Sequence, residues 1–158
     1  WGGLVAIASL SQFILLKTGY TEMNFYPYFL MPLGGIFTGL YYSRKKEGAQ
    51  NQISKIISFS WILLGVNMMF IGFLFSSILK QSTIPVILIL LSVGITISGI
   101  AIKSKLILFS GILINLSAFI CFNLDWIYHP LLMGLVSFVA IFIPGLILMI
   151  NFKNRVNV

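Results

Sequence analysis

Apolar residues fall into six blocks along this chain, at 1–16, 27–42, 56–79, 84–102, 106–122 and 130–150, with short polar stretches between them. A helix needs about 20 apolar residues to cross the hydrocarbon layer of a bilayer. None of the six blocks holds a charged side chain. Their apolar positions run continuously rather than in a stripe, so each helix is apolar all round, which suits lipid rather than a watery surface. Backbone groups in lipid must be satisfied within their own segment, which makes the blocks helices. The pattern predicts an all-α, polytopic integral membrane protein: one domain, residues 1–158, of six transmembrane helices.

Charge orients the bundle. The second-to-third connection carries Arg44, Lys45, Lys46 and Lys55; the fourth-to-fifth carries Lys103 and Lys105; the tail carries Lys153 and Arg155. Eight of the ten basic residues thus share one side, against Lys17 and Lys80 on the other. The positive-inside rule puts the eight, and with them both termini, in the cytoplasm. Pro27, Pro85 and Pro130 open the second, fourth and sixth blocks, where a helix tolerates a missing N–H. Ser82 and Thr83 are suitable caps for the fourth. Pro32 and Pro144 lie deeper and are expected to kink the second and sixth helices.

Composition narrows the class further. The chain is 59% hydrophobic and 8% charged, with mean hydropathy +1.05; soluble domains carry roughly a quarter charged residues. The net charge of +7 comes from residues at block ends, so no nucleic-acid partner is expected. The lone Cys121 excludes an internal disulfide and reads as a small buried hydrophobe. The chain opens on Trp1 and is apolar from the start, so a preceding segment is expected to be missing.

The stretch "NLDWIYHP" brings together Asp125, Trp126, Tyr128 and the only histidine, His129. An acid four residues from a histidine could orient a base. The simpler reading is an outer loop whose aromatics sit at headgroup depth, with the charged pair wet. The loop "EMNFYP" before the second block matches it in order, Glu22 with Asp125, Phe25 with Tyr128 and Pro27 with Pro130. A duplicated hairpin would produce that match, and so would chance.

Inside the blocks the polar candidates are Gln12, Asn67 and Asn115, with Ser9, Ser92, Thr96 and Ser98. Amides in lipid usually bond across helices, and they could alternatively line a path for a small polar molecule. Gly35 and Gly39 form a GxxxG, and Gly94 with Ser98 repeats the spacing, so both pairs are expected to let helices approach closely. No catalytic residue, metal ligand or cofactor site is expected, because no nucleophile is paired with a base.

"WGGLVAIASLSQFILLK", the "RKK" after the second block, "GIAIKSKLILFSGIL" and the closing "FIPGLIL" resemble an uncharacterised family of small inner-membrane proteins of Bacteroidota. The resemblance implies a bacterial inner-membrane location and a polar helical segment before the first span; it implies no activity. The functional expectation is a non-enzymatic accessory, scaffold or sensor subunit, partnered by lipid and by another membrane protein or a second copy. The alternative is a small permease whose kinked helices 2 and 6 surround Asn67 and Asn115.

Overall fold

The structure, a computed structural model, describes residues 1–20, 22, 26–44 and 52–156, with the backbone alone at 41–44 and 152–156. Lys45, Lys46 and Phe25 lie outside the described residues. Every element among the described residues is helical. They are α1 (Gly2–Lys17), α2 (Leu30–Arg44), α3 (Gln52–Met69), α4 (Ser76–Leu79), α5 (Thr83–Ala101), α6 (Lys105–Phe122), α7 (His129–Ser137) and α8 (Ile143–Val156). A π-helical turn, Phe70–Leu74, extends α3, and a second, Phe138–Phe142, joins α7 to α8.

Four stretches are long and apolar enough to cross a membrane: Gln52–Leu74, Ser76–Ala101, Lys105–Phe122 and Trp126–Asn151. The first apolar block gives a shorter helix of 16 residues and the second one of 15.

Two helices end in the same way. After α1, Gly19 takes φ 86, Tyr20 N–H bonds Leu15 O at 3.0 Å and Gly19 N–H bonds Leu16 O at 3.4 Å. After α5, Lys103 takes φ 53, Ser104 N–H bonds Gly99 O at 2.9 Å and Lys103 N–H bonds Ile100 O at 3.1 Å. Both are Schellman caps, which satisfy the last carbonyls through one left-handed residue. The second cap leads straight into α6, where Ser104 Oγ accepts from Ile107 N–H at 3.5 Å. α5 and α6 therefore form a tight antiparallel hairpin.

That hairpin is the centre of the fold. Leu88, Leu91 and Ile95 of α5 pack with Ile114, Ala118 and Cys121 of α6, joined by Met133 of α7, Val5 of α1 and Ala140 of the second π-turn. α1 lies on α7 at close range: a Cβ built on Gly134 would stand 2.9 Å from Leu10 Cγ. α3 leans on α5 from outside, and none of its residues is buried.

Several expectations are corrected. The second helix starts at Leu30, so Pro27 sits in a preceding 3-10 turn, Tyr26–Phe29, and Pro32 stands in the first helical turn rather than at a kink. An N–H at Pro32 would have had no helical partner there, so its loss costs nothing. The third block is not one helix: it breaks at Phe75, after which come α4 and Lys80 at φ 45. Neither Ser82 nor Thr83 caps α5 through its side chain; Thr83 Oγ1 instead donates to Lys80 O at 2.9 Å. At Pro144 the helix does change. The π-turn ends just before it, with Ile143 N–H bonded five residues back to Phe138 O. A proline ring clashes with the carbonyl four residues earlier, and the wider turn removes that crowding.

Candidate functional site

Polar side chains gather at three places in the bundle. The first lies between α1, the 3-10 turn and α7. Gln12 is buried, and Tyr28 Oη donates to its Oε1 at 2.8 Å. Ser9 Oγ lies 3.4 Å and Met133 Sδ 3.9 Å from the same phenol oxygen. Nearby in sequence on α7, the buried Ser137 Oγ has no hydrogen-bond partner among the described residues. The phenol works as a bolt: it holds the entry to α2 against α1 by giving a buried amide the donor it needs.

The second place joins α3 to α5. Trp61 Nε1–H donates to Ser98 Oγ at 2.8 Å, and Ser98 Oγ donates to Gly94 O at 2.9 Å. A Cβ on Gly94 would meet Leu64 Cδ1 at 2.8 Å and Trp61 at 3.4 Å. The Gly94 and Ser98 pair thus receives α3 within the molecule. Gly35 and Gly39 behave otherwise. A Cβ on Gly35 would come near Trp1 alone, at 3.9 Å, and one on Gly39 would meet nothing within 4 Å. It is Gly34 that faces α1, with a Cβ site 3.0 Å from Leu4 Cδ1.

The third place is the outer edge of the α5–α6 seam. Asn115 Nδ2–H donates to Ser92 Oγ at 3.0 Å, and Ser92 Oγ donates to Ile89 O at 2.7 Å. Beside this pair runs an open groove of about 270 Å³, lined by Val93, Thr96, Ile97, Gly111, Ile112 and Leu116 as well. Asn67 is not part of it. That amide is exposed on α3 and donates to Leu63 O of its own helix at 2.9 Å.

The loop before α7 holds a surprise. Trp126 and Tyr128 are 42% and 40% exposed, while His129 is buried at 3%. The expected wet Asp125–His129 pair is therefore corrected. The ring turns back under the loop, and Nε2–H donates to Leu124 O at 2.9 Å. Burial of an imidazole demands such a partner, and the carbonyl of Leu124, two residues past the end of α6, supplies it. Asp125 and Glu22 are exposed. Lys17 Nζ stands 5.3 Å from the centre of the Tyr128 ring, which ties the end of α1 to this loop by a cation–π contact. Both of these loops enter their helix through a 3-10 turn, but Pro27 lies inside its turn while Pro130 is already within α7.

Sequence reasoning singled out Gln12, Asn115, Gly94 and Ser98 but missed what they meet. Tyr28, Trp61 and the close-approach glycines Gly99 and Gly111 are found only when the helices are paired. A Cβ at Gly99 would lie 2.6 Å from Leu108 N, and one at Gly111 would lie 3.0 Å from Thr96 N. Compared with known proteins, the chain matches no family model, no curated protein and no solved structure. What fold and site define together is a protein that is helical in every element among the described residues, with four helices there long and apolar enough to cross a membrane.

Proposed function

We propose that the protein is a non-enzymatic, multi-pass protein of the bacterial inner membrane, an accessory, scaffold or sensor subunit that works by packing its outer helices against another membrane protein. All six apolar blocks cross the bilayer in this reading, with both termini cytoplasmic. The 3-10 turn and α2 together extend about 30 Å at the usual rises of 2.0 and 1.5 Å per residue, the thickness of the hydrocarbon layer. Eight of the ten basic residues then face the cytoplasm.

The observation that supports the role is α3. Across Gln52–Leu74, 23 residues of high hydropathy, none of the most apolar window is buried inside the molecule. α2 adds Ile36 and Phe37, 58% and 71% exposed, beside the open Gly39. Between apolar helices in lipid, close packing at small residues is what drives association. These faces offer it.

Two experiments test the reading. Extracted in mild detergent or in nanodiscs, the protein is expected to carry a stoichiometric membrane partner, or a second copy. Gly39→Leu should reduce the yield of a partner protein severalfold without unfolding the chain, since no described residue lies within 4 Å of the position. A stable, solitary monomer in both media overturns the role. For topology, cysteines are placed at Lys105 and Asn123, the two ends of α6, with the buried Cys121 changed to alanine. In intact cells Lys105→Cys should label only from inside and Asn123→Cys only from outside. Labelling of both from one side rules out a spanning α6.

A further inference from the structure

We propose that two copies of this chain pair in the bilayer through the α5–α6 groove, with the Asn115 amides of the two copies bonded to each other. The inference rests on the membrane reading above but concerns a different face from α2 and α3. Hydrogen-bond accounting carries it. Asn115 spends one N–H on Ser92 Oγ, and Ser92 spends its own proton on Ile89 O. Ser92 therefore has nothing to give the Asn115 carbonyl. Among the described residues, that Oδ1 and the second Nδ2–H make no hydrogen bond, and neither does the Thr96 hydroxyl in the same groove.

Depth makes this expensive. Asn115 is the eleventh of the 18 residues of α6, and Ser92 the tenth of the 19 of α5. Both stand near mid-membrane, beyond the reach of water or lipid headgroups. An unsatisfied polar group in hydrocarbon costs several kcal/mol. Something polar must therefore meet the amide from the lipid side.

A second copy fits on three counts. With one of its two N–H groups spent on Ser92, the Asn115 amide still offers one donor and one acceptor, so two amides facing across a two-fold axis satisfy each other reciprocally. Copies inserted with the same topology place residue 115 at the same depth, which no other partner guarantees. The groove is also shaped for self-packing. Gly111 packs against Thr96 at its base, while Val93, Ile97, Ile112 and Leu116 stand 44%, 38%, 49% and 56% exposed along it. A two-fold interface needs one patch that is complementary to itself, and exposed apolar side chains on either side of an open groove with an amide in it meet that need.

The test is dilution of labelled full-length protein in lipid vesicles, with energy transfer between copies as the readout. The wild type should transfer energy at protein-to-lipid ratios where an unrelated helical control does not. Asn115→Leu should weaken pairing roughly tenfold, the scale of two interhelical hydrogen bonds, and Asn115→Gln should retain most of it. Leu116→Trp, on the rim and away from the seam, should also abolish pairing while circular dichroism stays unchanged. Gly39→Leu should leave it intact. A wild type that floats with vesicles yet stays monomeric overturns the pairing and spares the membrane reading; failure to float overturns both. Pairing lost in Gly39→Leu but kept in Asn115→Leu moves the interface to α2 and overturns this proposal alone.

Discussion

Alanine at Gly99 is expected to destabilise the protein by about 3 kcal/mol, the upper range for overpacking a dense core, whereas alanine at Gly39 should not destabilise it and, by helix propensity, should add up to about 1 kcal/mol. The contrast comes from what each new methyl group would strike. At Gly99 it meets Leu108 N at 2.6 Å and Leu108 Cα at 2.9 Å. Those are backbone atoms, and no rotamer change moves them aside. The helices must separate instead, and the fully buried pair Leu88 and Ile114 belongs to the same packed cluster. Gly99 also accepts the Ser104 N–H that closes the turn, so spreading the seam strains the cap as well. At Gly39 nothing lies within 4 Å. Reversible unfolding in mixed micelles would measure both. A Gly99→Ala protein within about 0.5 kcal/mol of the parent, the range of surface substitutions, would mean that the two helices are not packed this closely.

The seam shows why some of the fold was legible and some was not. Six apolar blocks gave six helical regions because hydrophobic runs and charged ends are one-dimensional signals. The pairing of α5 with α6 is encoded too, but in a form that needs the turn first. Gly99 and Leu108, Thr96 and Gly111, and Ser92 and Asn115 each lie at equal distances on either side of the Lys103–Ser104 turn. Positions 92, 96 and 99 face 108, 111 and 115, the three-and-four spacing of a helix seam. A reader who places that turn can derive the contacts; GxxxG alone misleads. "GIFTG" is the better motif, yet Gly39 meets nothing and the neighbouring Gly34 makes the contact. His129 was misread because a charged pair at i, i+4 looks like a surface feature. The 3-10 turn Trp126–Tyr128 instead swings the ring inward to the loop carbonyl of Leu124. The first π-turn, at Phe70–Leu74, has no proline beside it, and we find no sequence signal for it.

Replacing Trp61 with alanine should release α3 from the bundle while leaving the α5–α6 hairpin folded. The indole is the main anchor of a helix that buries none of its residues. Its ring packs over Gly94 and its N–H bonds Ser98 Oγ at 2.8 Å. Truncating a packed tryptophan costs about 3–5 kcal/mol in a full core; with Trp61 only half-buried, about 3 kcal/mol is expected. Amide hydrogen exchange separates the two regions. Protection along Gln52–Met69 should fall by two orders of magnitude or so, about what 3 kcal/mol gives, and that of Lys105–Phe122 should hold. Trp61→Phe keeps most of the ring and loses the N–H, so it should cost only about 0.6 kcal/mol, the average for a hydrogen bond between membrane helices. Adding Ser98→Ala to it should cost little more, because the bond is already gone. Equal loss of protection in both regions would instead mean that α3 is integral to the core. An α3 held chiefly through Trp61, with Leu64 and Met68 beside it, and with none of its residues buried, can be repacked by a neighbouring helix without unfolding the hairpin behind it.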